Sequence, residues 1–308
     1  MRPATAVLAS AALVVTVLAA VVVVALVATG GPAGPARPAR PVHRRSTPVT
    51  SYYLALGDSL SRGFQPNPAG HSVPTDQGYP DQLYAMLHPG HPGLRLVKLG
   101  CGGETTATMI HGGICSYPGG SQLAAAVAFL RAHPGRVSLV TIDIGANDAN
   151  GCFFRLSLGR VADCIGSAVP HIGGNLTTIM RALRAAGGRK LRIIGMSYYV
   201  PELAVWRDGV AGQLIARLSV RLAAVLNDLL TSNYTAFGAR VADVSGAFSS
   251  ADFTSQATGS ALGPVPRNVA EICSWTWACT PPPRGPNEHA NAAGYRVIAR
   301  AFLRADLR

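Results

Sequence analysis

Charge is scarce in this chain. Asp, Glu, Lys and Arg together make up 14% of its 308 residues, whereas 48% are hydrophobic. That balance argues against disorder over most of the length and leaves enough apolar material for one large domain or two small ones. The first fifty positions hold no acidic residue at all. Closely spaced C-x-x-C pairs are missing, which argues against a structural metal site. No zinc-finger, homeodomain or RNA-binding signature is present, so the net charge of +12 is not expected to serve nucleic acid. No internal repeat is visible.

What the N-terminus does hold is an apolar run. Ala6 to Ala28 contains nothing more polar than Ser10 and Thr16, and only Arg2 precedes it with charge. About 20 such residues can cross a bilayer. Its length exceeds the h-region of about 7–15 residues usual for a signal peptide and favours an anchor, while Gly31-Pro32-Ala33 offers small residues for cleavage. Residues 1–30 are therefore expected to be a signal peptide or membrane anchor. Residues 31–50, rich in Pro, Ala and Arg, read as an extended linker, and residues 51–308 as the folded domain. The linker arginines Arg37, Arg40, Arg44 and Arg45 would hold its side of a membrane in the cytoplasm. The cysteines point the other way.

Cys101, Cys115, Cys152, Cys164, Cys273 and Cys279 form three close sequential pairs. An even count behind an export-type segment is a disulfide pattern of an oxidising compartment, with nearest-neighbour pairing expected. The chain should thus be secreted, or anchored on the extracytoplasmic side and touching the membrane through its N-terminal segment. Beyond position 50, 22 basic and 15 acidic residues leave a charge of +7, a solvated basic face with some attraction to anionic surfaces.

After the linker, apolar runs of strand length alternate with helical ones. Strands are expected at Tyr52–Leu56, Leu94–Leu99, Val137–Ile144, Leu191–Met196 and Arg240–Val244. Helices are expected at Tyr79–Leu87, Gln122–Ala132, Ile172–Ala186, Gly212–Leu230 and Ala290–Leu303, with Phe248–Arg284 mostly irregular. The alternation implies an α/β fold with a parallel sheet covered on both faces. Sites in such folds lie beyond the C-terminal strand ends.

Those ends carry suggestive chemistry. Gly57-Asp58-Ser59-Leu60-Ser61 places a serine after strand one, with a helix expected to follow. Gly100-Cys101-Gly102-Gly103 leaves main-chain N–H groups unobstructed after strand two, and Gly145-Ala146-Asn147-Asp148 offers a carboxamide after strand three. His289 precedes the last helix. Each feature alone is as well explained by a turn or a helix cap. Together they supply what acyl transfer needs: a nucleophile, a base and donors for an oxyanion.

The blocks "LALGDSLSRG", "LGCGGETT", "IGANDAN" and "HANAAGYRVIA" occur in order between Tyr52 and Arg304 and resemble the SGNH branch of the GDSL hydrolases. The local cysteine pairs and "CSWTWAC" resemble secreted actinobacterial lipases within that family. The resemblance implies a flavodoxin-like three-layer α/β/α sandwich with a five-stranded parallel sheet. It implies a serine esterase or lipase acting on ester or lipid substrates without metal or organic cofactor, and a monomer is expected. Ser59 takes the nucleophile's place and His289 the base's, while Ser59, Gly103 and Asn147 take the oxyanion positions. A polysaccharide acetyl esterase and a non-catalytic surface-binding domain are the alternatives.

One element of the family pattern is absent. Where an aspartate usually stands three residues before the histidine, this chain has Pro286. A carbonyl in the stiff Cys279–Pro286 loop is the favoured substitute for orienting the ring, ahead of the Asn287 amide oxygen and of Glu288. Under the resemblance, each cysteine pair braces a loop bearing a site residue. Trp275 and Trp277 could contact an acyl chain or anchor their loop on the core, and Phe64 lies near the nucleophile.

Overall fold

The computed structural model describes residues 49–153, 158–254 and 264–307, with side chains left out at 150–153, 158, 159, 161, 162 and 165. The expected signal or anchor segment, nearly all of the linker and the expected Cys152–Cys164 pairing lie outside the described residues.

Five parallel strands form the centre: β1 (Ser51–Gly57), β4 (Leu94–Lys98), β5 (Val137–Asp143), β6 (Ile193–Met196) and β7 (Arg240–Ala242). Their spatial order is β4-β1-β5-β6-β7, which in sequence terms is the flavodoxin-like order with the first strand second in place. β1 and β5 are buried almost throughout, from Tyr53 to Gly57 and from Leu139 to Asp143, because helices cover both faces. A separate two-stranded ribbon, β2 (Gln65–Pro66) and β3 (Ser72–Val73), follows the first strand end.

The helices are α1 (Tyr79–Leu87), α2 (Thr106–His111), α3 (Gln122–Ala132), α4 (Ala146–Phe153), α5 (Leu158–Gly187), α6 (Gly209–Ala236), α7 (Val244–Ala247), α8 (Arg267–Trp275) and α9 (Ala292–Leu307). α1 and α9 pack together on one face, and α3, α5 and α6 pack in succession on the other. The core runs through both layers, with Tyr79 stacked on Phe302 at 4.6 Å between centroids.

Three expectations need correction. No helix follows Ser59: residues 58–63 form successive turns, because Asp58 Oδ1 and Asp143 Oδ2 accept the N–H groups of Leu60 and Ser61. Within Phe248–Arg284 the described part is mostly irregular, as expected, apart from α8, which the periodicity did not reveal. α5 begins well before Ile172 and tolerates Pro170 in its interior. β7 stops at Ala242 because Asp243 turns the chain into α7, its Oδ1 accepting from Gly246 N at 2.8 Å.

Candidate active site

The first strand end is built on glycine and on buried carboxyl groups. Gly57 has φ of +133°, and a Cβ there would come within 2.2 Å of the Asp143 carbonyl oxygen, so no larger residue fits. Gln122 clamps it from α3: Gly57 N donates to Oε1 at 2.7 Å and Nε2 donates to Gly57 O at 2.9 Å. Ser59 emerges next, half-buried, between Asp58 and Leu60.

Asp58 and Asp143 lie fully buried beneath it and hydrogen-bond to each other. Asp143 Oδ1 accepts from Tyr79 OH at 2.6 Å, and its Oδ2 accepts from Asp58 N and Ser61 N, both at 3.2 Å. Asp58 Oδ2 accepts from Tyr198 OH at 2.9 Å. Burial, and for Asp143 the neighbouring carboxylate, hold both groups above the ordinary carboxylate range. The two groups interact closely enough to titrate as one unit rather than separately. Sequence reasoning missed it; the signal available was an acid inside the otherwise apolar "VTID" end of β5.

His289 is buried and held by its own loop. Its ring Nδ1 lies 2.8 Å from Asn287 Oδ1, which also accepts the His289 main-chain N–H at 3.0 Å. Because the main-chain N–H of His289 can only donate, the amide atom facing the ring is the oxygen, and Asn287 Nδ2 donates to Ser72 Oγ at 2.8 Å. Glu288 Oε1 stands 3.9 Å from Nδ1, too far for a hydrogen bond. The favoured Pro-loop carbonyl, including that of Pro286, is therefore not the acceptor. That loop is tied elsewhere, with Gly285 N donating to Pro281 O, while Trp277 O takes the Asn287 N–H and so turns the Asn287 side chain towards the imidazole. Burial lowers the imidazole's pKa from its ordinary value, and Glu288 opposes that. Phe64 packs its ring on His289 at 5.8 Å.

Asn147 sits in the first turn of α4 rather than in a loop, and its Nδ2 donates to Glu104 O at 2.9 Å. That bond links it to the strand-two loop. Gly103 lies one residue before that carbonyl, exposed, with φ of +79°.

Ser59, Asn147 and His289 line one cavity. Gly103 does not form part of its wall. One side is apolar, formed by Ala168, Val169 and Ile172 of α5 and Leu222, Ala223 and Leu226 of α6. The other is polar and carries Tyr199, Glu202 and Glu288, with Tyr199 OH donating to Glu288 O at 2.8 Å. Glu202, which sequence reasoning also missed, has its carboxyl pKa raised by burial and by Glu288. Trp275 and Trp277 are absent from the lining. Trp275 packs edge-on against Phe248 at 5.2 Å, and Trp277 carries Arg284 over its ring at 5.7 Å, so both anchor their loop. Among the described residues no cluster of His, Cys, Asp and Glu could hold a metal ion.

Two disulfides are present among the described residues, Cys101–Cys115 and Cys273–Cys279. The second encloses Trp277, whose main-chain N–H donates to His289 O at 3.0 Å, and Thr276, which bridges to Ala290. Loops of this size gain about 2–3 kcal/mol from closure, and here closure also holds the histidine's main chain. Reductant should therefore lower ester hydrolysis before far-UV ellipticity changes. Full reduction with unchanged turnover would remove this brace from consideration.

Comparison with known proteins follows the same lines. The model of the GDSL-like lipase/acylhydrolase family matches residues 55–297. Among curated proteins, none matches the chain. Among solved structures, an extracellular lipase from Streptomyces rimosus is similar at 18% identity and a TM-score of 0.55, covering 83% of this chain and 100% of its own. Phospholipase A1 from Streptomyces albidoflavus gives 17% identity and 0.52, with coverage of 83% and 100%. An acetylxylan esterase from Geobacillus stearothermophilus gives 17% and 0.50, with coverage of 84% and 94%. At these identities the structures speak for the fold, while the family model spans most of the chain. With its flavodoxin-like sheet, three motif blocks at strand ends and the fourth just ahead of the last helix, this chain belongs to the GDSL-like lipase/acylhydrolase family and is a carboxylic ester hydrolase.

Proposed function

We propose that the protein is an extracytoplasmic serine esterase or lipase, released or tethered by its apolar N-terminal run, that takes esters of medium-length acyl chains. Ser59 attacks the ester carbonyl while His289 accepts its proton through Nε2. The imidazolium then protonates the leaving alcohol, and the neutral ring activates water to free Ser59. The oxyanion is held by the Asn147 amide and the Ser59 N–H, and the third donor is the N–H of Gly103, which stands outside the cavity wall next to the Glu104 carbonyl that holds Asn147. Asn287 keeps the proton on Nδ1, which leaves Nε2 free to act as base. An amide lacks the aspartate's charge, so the imidazolium gains little beyond the more distant Glu288.

The observation that supports a longer acyl group is the apolar wall of α5 and α6 residues leading away from Ser59. An acetyl group would leave most of it unused. Each buried methylene is worth about 0.8 kcal/mol, so butyrate should exceed acetate in kcat/KM by about tenfold. A p-nitrophenyl series from acetate to octanoate, run beside an acetylated glycan, tests this, and a clear preference for the glycan would overturn it. A fluorophosphonate adduct located on Ser59 by mass spectrometry tests the nucleophile. Its absence in folded protein would favour a non-catalytic surface-binding domain.

A further inference from the structure

α6 has the wrong outer surface for a helix that faces only water. Its inner face, Gly212, Ala216, Ser219, Leu226 and Leu230, is buried against the rest of the fold. On the opposite side, residues 210, 214, 217, 221 and 225 follow one another at helical spacing and share a stripe. Three of them are apolar and exposed: Val210 at 86%, Leu214 at 61% and Val225 at 49%. The other two are exposed arginines, Arg217 and Arg221. Between Asp208 and Asp228 the helix holds no acidic residue.

The segment Pro201–Ala236 reaches a mean hydropathy of 1.4, yet only 22% of its most apolar stretch is buried. Its inner face is committed to the fold, so it is not free to cross a bilayer. It is suited to lying on one. Arg217 adds an amphipathic platform, standing 5.0 Å over the Trp206 ring and 4.6 Å over Phe253, with those rings stacked at 5.4 Å.

We propose that this outer face of α6 docks the enzyme onto an anionic lipid surface, with Val210, Leu214 and Val225 entering the headgroup boundary and Arg217 and Arg221 meeting lipid phosphates. Charge complementarity selects this occupant. An apolar stripe edged by cations fits an interfacial helix, and residues 51–308 carry a net +7. A second copy paired about a two-fold axis through the stripe would bring its arginines against their own counterparts. The docked helix also supplies Leu222, Ala223 and Leu226 to the cavity wall, so the cavity lies beside the lipid. The inference does not depend on the proposed catalytic roles.

The test uses residues 47–308, a separate compact unit that solved structures match over their whole length. Sedimentation with phosphatidylglycerol-containing vesicles should give a partition coefficient about tenfold or more above that with phosphatidylcholine alone, and added salt should reduce it. The V210S/L214S/V225S variant should lose about tenfold or more on anionic vesicles, while R221Q should weaken only the anionic preference. Hydrolysis of soluble p-nitrophenyl butyrate should stay unchanged in the triple variant. Equal partitioning of triple variant and wild type would overturn the proposal, as would a wild-type dimer in solution that the triple variant abolishes. Binding is read without substrate, using Ser59→Ala protein in parallel, so failure here is distinct from failure of the hydrolytic mechanism.

Discussion

Ser59→Ala and His289→Ala are each expected to lower kcat on p-nitrophenyl butyrate by about 10⁴-fold or more, and the double variant to be no slower than the worse single one. A nucleophile without its base, or a base without its nucleophile, cannot complete the same step, so the two losses do not add. Far-UV spectra should remain native, since Ser59 is half-buried and His289 keeps its loop through main-chain bonds to Trp277. A double variant much slower than both singles would show that the residues act independently and would sink the proposed mechanism.

The same experiment extends to the residue behind the ring. Asn287→Ala should cost about tenfold or more, less than loss of the base itself, because the imidazole loses the acceptor at 2.8 Å that sets its tautomer. The pH profile gives the sharper reading. Burial lowers the His289 pKa below its ordinary 6.5, so the neutral, active base persists into mildly acidic solution and the acid limb of kcat/KM should lie below that value. Asn287→Asp places a carboxylate beside the ring, favours the imidazolium and should move that limb to higher pH. An unmoved limb would mean that Nδ1 does not face residue 287 in solution.

Asp143→Ala should be the most destabilising change near the site, at about 3–5 kcal/mol. It strips the acceptor from Tyr79 OH, Asp58 N and Ser61 N together and leaves a cavity below the serine. Asp143→Asn should cost less, since its amide oxygen can accept from Asp58 N and Ser61 N while its Nδ2 donates to the Tyr79 hydroxyl oxygen. The two substitutions also differ in their consequence for pH. The folded carboxyl groups release their protons at higher pH than the unfolded ones, which do so near about 3.9. Native protein therefore binds more protons than unfolded protein across the window from there up to the pair's raised pKa. Stability accordingly falls as pH rises through that window. Asparagine removes one of the two titrating groups and should flatten the decline. Urea unfolding at pH 5 and pH 8 measures this, and an unchanged difference between wild type and Asp143→Asn would refute the raised pKa of the pair.

How legible these features were depends on how local their causes are. The strand runs were readable because burial on both faces demands continuous apolar sequence, as in Tyr53–Leu56 and Leu139–Ile142. Boundaries slipped where side chains outvoted periodicity: Asp243 ended β7 by capping α7, and Asp58 with Asp143 held residues 58–63 in turns. Asn147 was found but assigned to a loop, because "GAND" reads as a turn when the helix that follows it has little apolar rhythm.

By itself the sequence determined the layered parallel fold, the positions of Ser59, Asn147 and His289 at strand and loop ends, and the missing aspartate at Pro286. These follow from periodicity and from residue types at fixed spacing along the chain. Tertiary structure decided which oxygen meets His289 Nδ1, since the path of the Asn287 loop is set by Trp277. It alone brought Asp58 and Asp143 together across 85 positions and turned an apolar, arginine-edged face of α6 outward. Hydrogen bonds between distant segments and the outward side of a helix depend on how the layers stack, and no local pattern encodes them.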